Sequence, residues 1–136
     1  MGVIPDTSVW VDLEQARITP QQLAAIVGTE PIYLTPVTIA ELRYGVKRAP
    51  SQKQRRARAA ALAKLETKNC LKIDRRTGNI LGDIKADADS RGRPTDHRIQ
   101  DLWIASLALQ YGFKVITRNR RDFDDIPGLT VLSLGP

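Results

Sequence analysis

Short apolar runs and longer stretches with helical spacing alternate along this chain, separated by Pro, Gly and capping residues. Val3 and Ile4 form a run that stops at Pro5 and Asp6 and predicts a first strand; Pro5, which has no N–H, belongs at its end. Thr7 and Ser8 offer capping hydroxyls for a helix through Val9, Trp10, Val11 and Leu13. A second helix is predicted over 19–27, with Thr19 as cap, Pro20 in the first position and Gly28 closing it. The stretch 31–35 reads as a strand, and Thr35 with Pro36 starts a helix carrying Val37, Ile39, Ala40, Leu42 and Tyr44, weakened late by Gly45. A long helix follows from Ser51 to about Lys68, with Ala57, Ala60, Ala61, Leu62 and Leu65 on its apolar side. Leu71 to Ile73 predicts a short strand, and a helix spans Thr77 to Arg91 before Gly92 and Pro94. Thr95 or Asp96 begins a helix that runs to Tyr111 and stops at Gly112. Phe113 to Thr117 is a strand, Arg121 to Asp125 a turn or short helix, and Leu129 to Leu132 a last strand.

Such alternation predicts an α/β fold, a parallel sheet covered by helices on both faces. No repeat, low-complexity tract or long linker divides the chain, so residues 1–136 are read as a single domain. In open parallel sheets the site lies beyond the carboxyl ends of the strands, so the polar residues at those ends are the candidates. Asp6 follows the first strand directly. Thr117 ends the strand over 113–117, with Asn119 and Asp122 just beyond it. Glu41 sits in the helix after the second strand, and Asp101 borders the otherwise apolar stripe of Ile104, Ala105 and Ala108.

A carboxylate in such a stripe must be paired, hydrogen-bonded or metal-bound. Several acids gathered at one sheet end repel one another, and a hard divalent cation, Mg²⁺ or Mn²⁺, relieves that repulsion. With one His and one Cys, the chain has no zinc-type cluster. Taken singly, the acids have other readings: Asp6 as a helix cap, Glu41 as a partner of Arg43 or Lys47, and Asp124 or Asp125 in place of Asp122. Trp10 and Trp103 fit core positions, and His97 fits the surface near a helix start.

Composition narrows the class. With 42% hydrophobic and 26% charged residues the chain is neither disordered nor membrane-like. No apolar run approaches the ~18 residues of a membrane span, and the N-terminus lacks the pattern of a secretory signal. With a lone Cys70, these features predict a reducing cytoplasm. The net charge of +6 and pI near 9.8 suit a polyanion. Lys47 to Arg76 carries eleven basic and two acidic residues, a net +9, which leaves −3 for the remainder. A basic segment beside acids fits an enzyme that grips a phosphate backbone and holds a metal; a solvated basic helix would look the same.

Four strings, in order, carry a family resemblance: Val-Ile-Pro-Asp6-Thr-Ser, Thr-Ile-Ala-Glu41-Leu-Arg-Tyr-Gly, Gln-Asp101-Leu-Trp-Ile-Ala-Ser-Leu-Ala, and Thr117-Arg-Asn-Arg-Arg-Asp122-Phe. From Val3 to about Leu132 the chain resembles the PIN-domain ribonucleases, specifically the VapC toxins of toxin–antitoxin pairs. The resemblance implies an α/β/α sandwich around a mainly parallel sheet of about four to five strands. It also implies a Mg²⁺- or Mn²⁺-dependent endoribonuclease that leaves 5′-phosphate and 3′-hydroxyl ends. Asp6, Glu41 and Asp101 would be its main acidic residues, Asp122 the fourth, and Asn119 a polar partner of the site. Pro5 departs from the aliphatic residue more usual there. Arg43, Lys47, Arg118 and Arg120 are candidates for the RNA backbone. The implied partners are a VapB-type antitoxin, whose C-terminal segment would cover the acids, and a second copy in a homodimer that assembles further with antitoxin. The residues do not separate RNA from DNA, so a DNA-directed nuclease and a non-catalytic nucleic-acid-binding module are the alternatives.

Overall fold

The structure, a computed structural model, describes residues 1–134. In chain order it contains β1 (Val3–Pro5), α1 (Thr7–Glu14), α2 (Pro20–Val27), α3 (Pro36–Lys47), α4 (Gln52–Leu65), α5 (Arg75–Ser90), α6 (Ile99–Tyr111), β2 (Lys114–Thr117) and β3 (Val131–Ser133). Two 3₁₀ turns, Asp96–Arg98 and Arg120–Asp122, precede α6 and follow β2.

The strands run parallel in the order β1-β2-β3, with Ile4 opposite Val115 and Val115 opposite Val131. Two isolated parallel bridges, Val3 to Ile32 and Leu34 to Cys70, extend the sheet beyond β1. The predicted four to five strands are thus present as three strands and two bridged segments, one joined at Ile32 and Leu34 and the other at Cys70. The strands expected at 31–35 and 71–73 are present as these short pairings, the first alternating between its two neighbours as an inner strand does and the second joined to it only around Cys70 and Leu71. Tyr33 donates to Val3 O (3.0 Å), whereas Leu34 donates to Asn69 O and accepts from Leu71 N (both 2.8 Å). Each ladder then stops at a cap: the Thr35 hydroxyl accepts the Thr38 amide at the start of α3, and the Asp74 carboxylate accepts the Arg76 and Thr77 amides at the start of α5. Capped by Asp74, α5 therefore starts at Arg75, two residues before the predicted Thr77; Thr77 instead accepts the Asp74 amide and closes a capping box. The long basic helix ends at Leu65 rather than near Lys68, and the helix expected from Thr95 opens as the 3₁₀ turn before α6. Gly112, at φ +73°, ends α6 in the left-handed conformation that glycine adopts without strain.

Because strand side chains alternate, the sheet sorts its apolar residues between two cores. Ile4, Val115 and Val131 face Leu81 and Ile84 of α5 and Leu102, Ala105 and Ala108 of α6. Val3, Leu34 and Ile116 face Val9 and Trp10 of α1 and Leu23 and Val27 of α2. Helix α5 packs along α6, and α3 along α4. This is the α/β/α arrangement, with the carboxyl ends of β1 and β2 side by side. Among the described residues, no helix is long and apolar enough to cross a membrane.

Candidate active site

Asp6 leaves the end of β1 and still pairs with the sheet, its amide donating to Ile116 O at 2.9 Å. It stands at the N-cap of α1, yet its side chain makes no capping hydrogen bond. The carboxylate, 3% exposed, instead accepts the Ser8 hydroxyl at 2.5 Å and the Thr117 hydroxyl at 2.6 Å, one on each oxygen. Burial pushes its pKa up, and these two hydroxyls pull it back. Thr117 is fully buried at the end of β2 and also accepts the Asn119 amide at 2.9 Å. One hydroxyl thus ties the two strand ends and the following turn together.

Glu41 arrives from α3. Its Oε1 accepts the Thr7 hydroxyl at 2.5 Å, and Thr7 lies 3.1 Å from the Thr38 hydroxyl. Among the described residues it forms no ion pair with Arg43 or Lys47. Burial raises its pKa, the Thr7 bond opposes that, and the charge of Asp6 raises it further. Asp101 lies in the first turn of α6. Its pKa is pushed up to about 7 by burial and by the charges of Asp6, Asp122 and Glu41, against a smaller opposing effect of Arg98. Four acids, from β1, α3, α6 and the turn after β2, therefore share one electrostatic environment.

Three aspartates in 122–125 compete for the fourth place, and their partners separate them. Asp124 pairs with Arg120 at 2.9 Å and is half exposed. Asp125 is bound on both oxygens by Arg98, at 2.6 and 2.7 Å. Asp122 has neither partner, and its charge acts on Asp101.

Among the described residues, no three acidic, His or Cys side chains stand close enough together to hold an ion. The donor set nevertheless fits a hard divalent cation: the ligands are all oxygen, they repel one another, and Arg98, whose charge opposes the shift of Asp101, is committed to Asp125.

The basic candidates divide. The Arg118 side chain is half exposed and pairs at 2.8 Å with Asp12, which is buried and also holds Arg17. Arg120 pairs with Asp124 and donates to Val131 O. Arg43 and Lys47 are exposed and share a helix face, but at about 100° per residue that face points roughly 200° away from Glu41. Arg48 and the exposed Tyr44 sit on Glu41's own side of α3. A cleft of about 210 Å³ opens where α1, α3 and α4 meet, lined by Thr7, Trp10, Glu41, Leu42, Gly45 and Arg58 among others.

Sequence reasoning missed Asp12, Arg98 and the hydroxyl contacts of Thr38. Arg98 had one faint signal, an arginine three positions before an acid at the start of an apolar helix. Its pairing with Asp125 joins segments 27 residues apart and leaves no local pattern.

The PIN domain family model matches residues 3–129. The chain is 33% identical over 127 residues to Ribonuclease VapC5 of Mycobacterium tuberculosis, covering 93% of this chain and 88% of that protein. Among solved structures it resembles VapBC-5, a toxin–antitoxin system member from M. tuberculosis, with a TM-score of 0.76, 31% identity and coverage of 97% and 95%. A DNA-bound VapBC from Salmonella typhimurium has the same fold, with a TM-score of 0.82 over 99% of both chains at 22% identity.

Proposed function

The chain belongs to the PIN-domain family, and on that premise we propose that it is a Mg²⁺- or Mn²⁺-dependent endoribonuclease, the toxin of a pair whose other member is a VapB-type antitoxin. The observation that carries this reading is the electrostatic coupling of Asp101 with Asp6, Asp122 and Glu41 at the carboxyl end of a parallel sheet. The name and likeness of Ribonuclease VapC5 support RNA as the substrate, and the VapBC complexes support the antitoxin.

Asp6, Glu41, Asp101 and Asp122 would hold the cation, with Asn119 a polar neighbour. When bound, the cation supplies Lewis acidity at the phosphoryl oxygens and relief of the repulsion among the carboxylates. The chain's own groups do the positioning. Ser8 and Thr117 fix both oxygens of Asp6, and Thr7 fixes one oxygen of Glu41. With one hydroxyl on each Asp6 oxygen, lone pairs remain for a ligand. Basic groups around the acids, Arg48 and Arg118 foremost, would steady the RNA backbone. An antitoxin segment laid along the cleft between α1, α3 and α4 would reach Glu41.

The test is cleavage of a labelled RNA by the purified parent, Asp6→Asn and Asp101→Asn proteins in Mg²⁺, Mn²⁺ or EDTA. Cleavage by the parent with either ion, and by neither variant, is expected. Full activity in a variant, with contaminating nuclease excluded, overturns the assignment of the acids.

A further inference from the structure

Arg98 is the N-cap residue of α6 and is 4% exposed. A buried guanidinium must find partners for its N–H groups. Here Nη1 and Nη2 meet Asp125 as a two-pronged pair at 2.6 and 2.7 Å, Nε donates to Pro94 O at 2.9 Å, and Nη1 also donates to Asp122 O at 3.1 Å. The Asp125 side chain is likewise 4% exposed. From the N-cap of α6, just before the turn that carries Asp101, the Arg98 side chain therefore binds two pieces of backbone: the loop before α6 and the turn after β2 that carries Asp122. Among the described residues no other hydrogen bond joins the Asp122 backbone to the start of α6, while Phe123 and Ile126 pack into the core that Leu102 and Ala105 of α6 help to build.

We propose that the Arg98–Asp125 pair is a positioning device for the acidic cluster. It sets where the Asp122 turn stands relative to Asp101 and so fixes divalent-cation affinity, without either side chain touching the cation. This rests on the metal-dependent reading above. Arg98 has the same charge sign as the cation, so the two roles it could play predict opposite results. Were it acting through charge alone, its removal would tighten cation binding; as a positioning residue, its removal loosens binding. Lysine keeps the charge but cannot reproduce the planar fork, which separates geometry from charge a second time.

The experiment compares parent, Arg98→Gln, Arg98→Lys and Asp125→Asn proteins, checked for folding by circular dichroism. Mn²⁺ affinity is measured by calorimetry, and hydrogen exchange is followed over residues 119–126. Both Arg98 variants should bind Mn²⁺ roughly tenfold or more weakly, the range of effects expected for groups that orient metal ligands. RNA cleavage should need correspondingly more Mn²⁺ for half-maximal rate but approach the parent's maximal rate. Exchange over 119–126 should quicken while α1 and β1 stay protected. Equal or tighter Mn²⁺ binding by a folded Arg98→Gln protein overturns the proposal. Should the parent itself bind no Mn²⁺, the metal-dependent reading fails, and the positional claim is judged by exchange alone: unchanged protection of 119–126 in the Arg98 variants refutes it. If Arg98→Gln does not fold, Arg98→Lys and Asp125→Asn decide by the same readings.

Discussion

Asp101→Asn is expected to stabilise the metal-free protein while abolishing its activity, and the sign of that effect can be worked out from the structure. The Asp101 carboxyl is carried from its ordinary 3.8 to about 7 in the fold. Below pH 4 it is protonated whether the chain is folded or unfolded. Between pH 4 and 7 the unfolded chain has released the proton and the folded chain still binds it, so stability falls as pH rises. At 1.36 kcal/mol for each tenfold change in acidity, the loss approaches about 4 kcal/mol above pH 7. Two effects reduce what asparagine recovers. Part of the shift comes from Asp6, Asp122 and Glu41, whose repulsion eases when any one of them takes a proton. Asparagine also forgoes the favourable interaction of a carboxylate with the α6 N-terminus, about 0.3–1 kcal/mol. A gain of about 2 kcal/mol at pH 8 is the expected balance. Urea denaturation of both proteins in EDTA at pH 4, 6 and 8 measures it. The D101N protein should match the parent or fall slightly below it at pH 4 and exceed it at pH 8, and the parent alone should gain appreciable stability from Mn²⁺. A D101N protein less stable than the parent at pH 8, or a difference that does not change with pH, refutes the reasoning.

Thr117→Val removes the hydroxyl that donates to Asp6 and accepts the Asn119 amide; calorimetry should find Mn²⁺ affinity lowered about tenfold, and denaturation a loss of about 1–3 kcal/mol from the unpaired buried groups. Arg118→Ala should change stability by less than about 1 kcal/mol, because the lost pair is half exposed and Asp12 keeps Arg17. The same variant should lower the salt slope of single-stranded RNA binding by about 0.7, and an unchanged slope removes Arg118 from the interface. Tyr44, 66% exposed beside Glu41's face of α3, is placed to stack on a base; Tyr44→Ala should weaken RNA binding by about 1–3 kcal/mol with an unaltered melting temperature, and unchanged binding assigns the ring another role.

The layered architecture was legible because helix caps and strand alternation are local. Thr19, Pro20 and Gly28 bound α2 where their types require, and Gly112 stops α6. The segments at 31–35 and 71–73 were legible as extended pieces of the sheet, but the shortness of their pairing was not, because it depends on the distant neighbours they meet: Val3 on one side, Asn69 and Leu71 on the other. Asp6 was visible as a strand-end acid, but its freedom from the capping role was not, since that depends on Thr117, 111 residues away. The family resemblance chose Asp122 over Asp124 and Asp125, but the residues alone left the three open, because Arg98 and Arg120 pair with two of them only in the folded chain. Arg43 and Lys47 looked close to Glu41 along the chain, and helical geometry turns them away from it.

The central claim is that these four carboxylates hold a divalent cation for RNA cleavage. It is tested most directly by incubating purified protein with total cellular RNA in Mg²⁺ or in EDTA and mapping the new 5′ ends. Discrete cleavage in Mg²⁺, with 5′-phosphate ends, lost in EDTA and in the D6N protein, is the predicted result. Cleavage that persists in EDTA, or an intact RNA pool in Mg²⁺ and in Mn²⁺ alike, contradicts it.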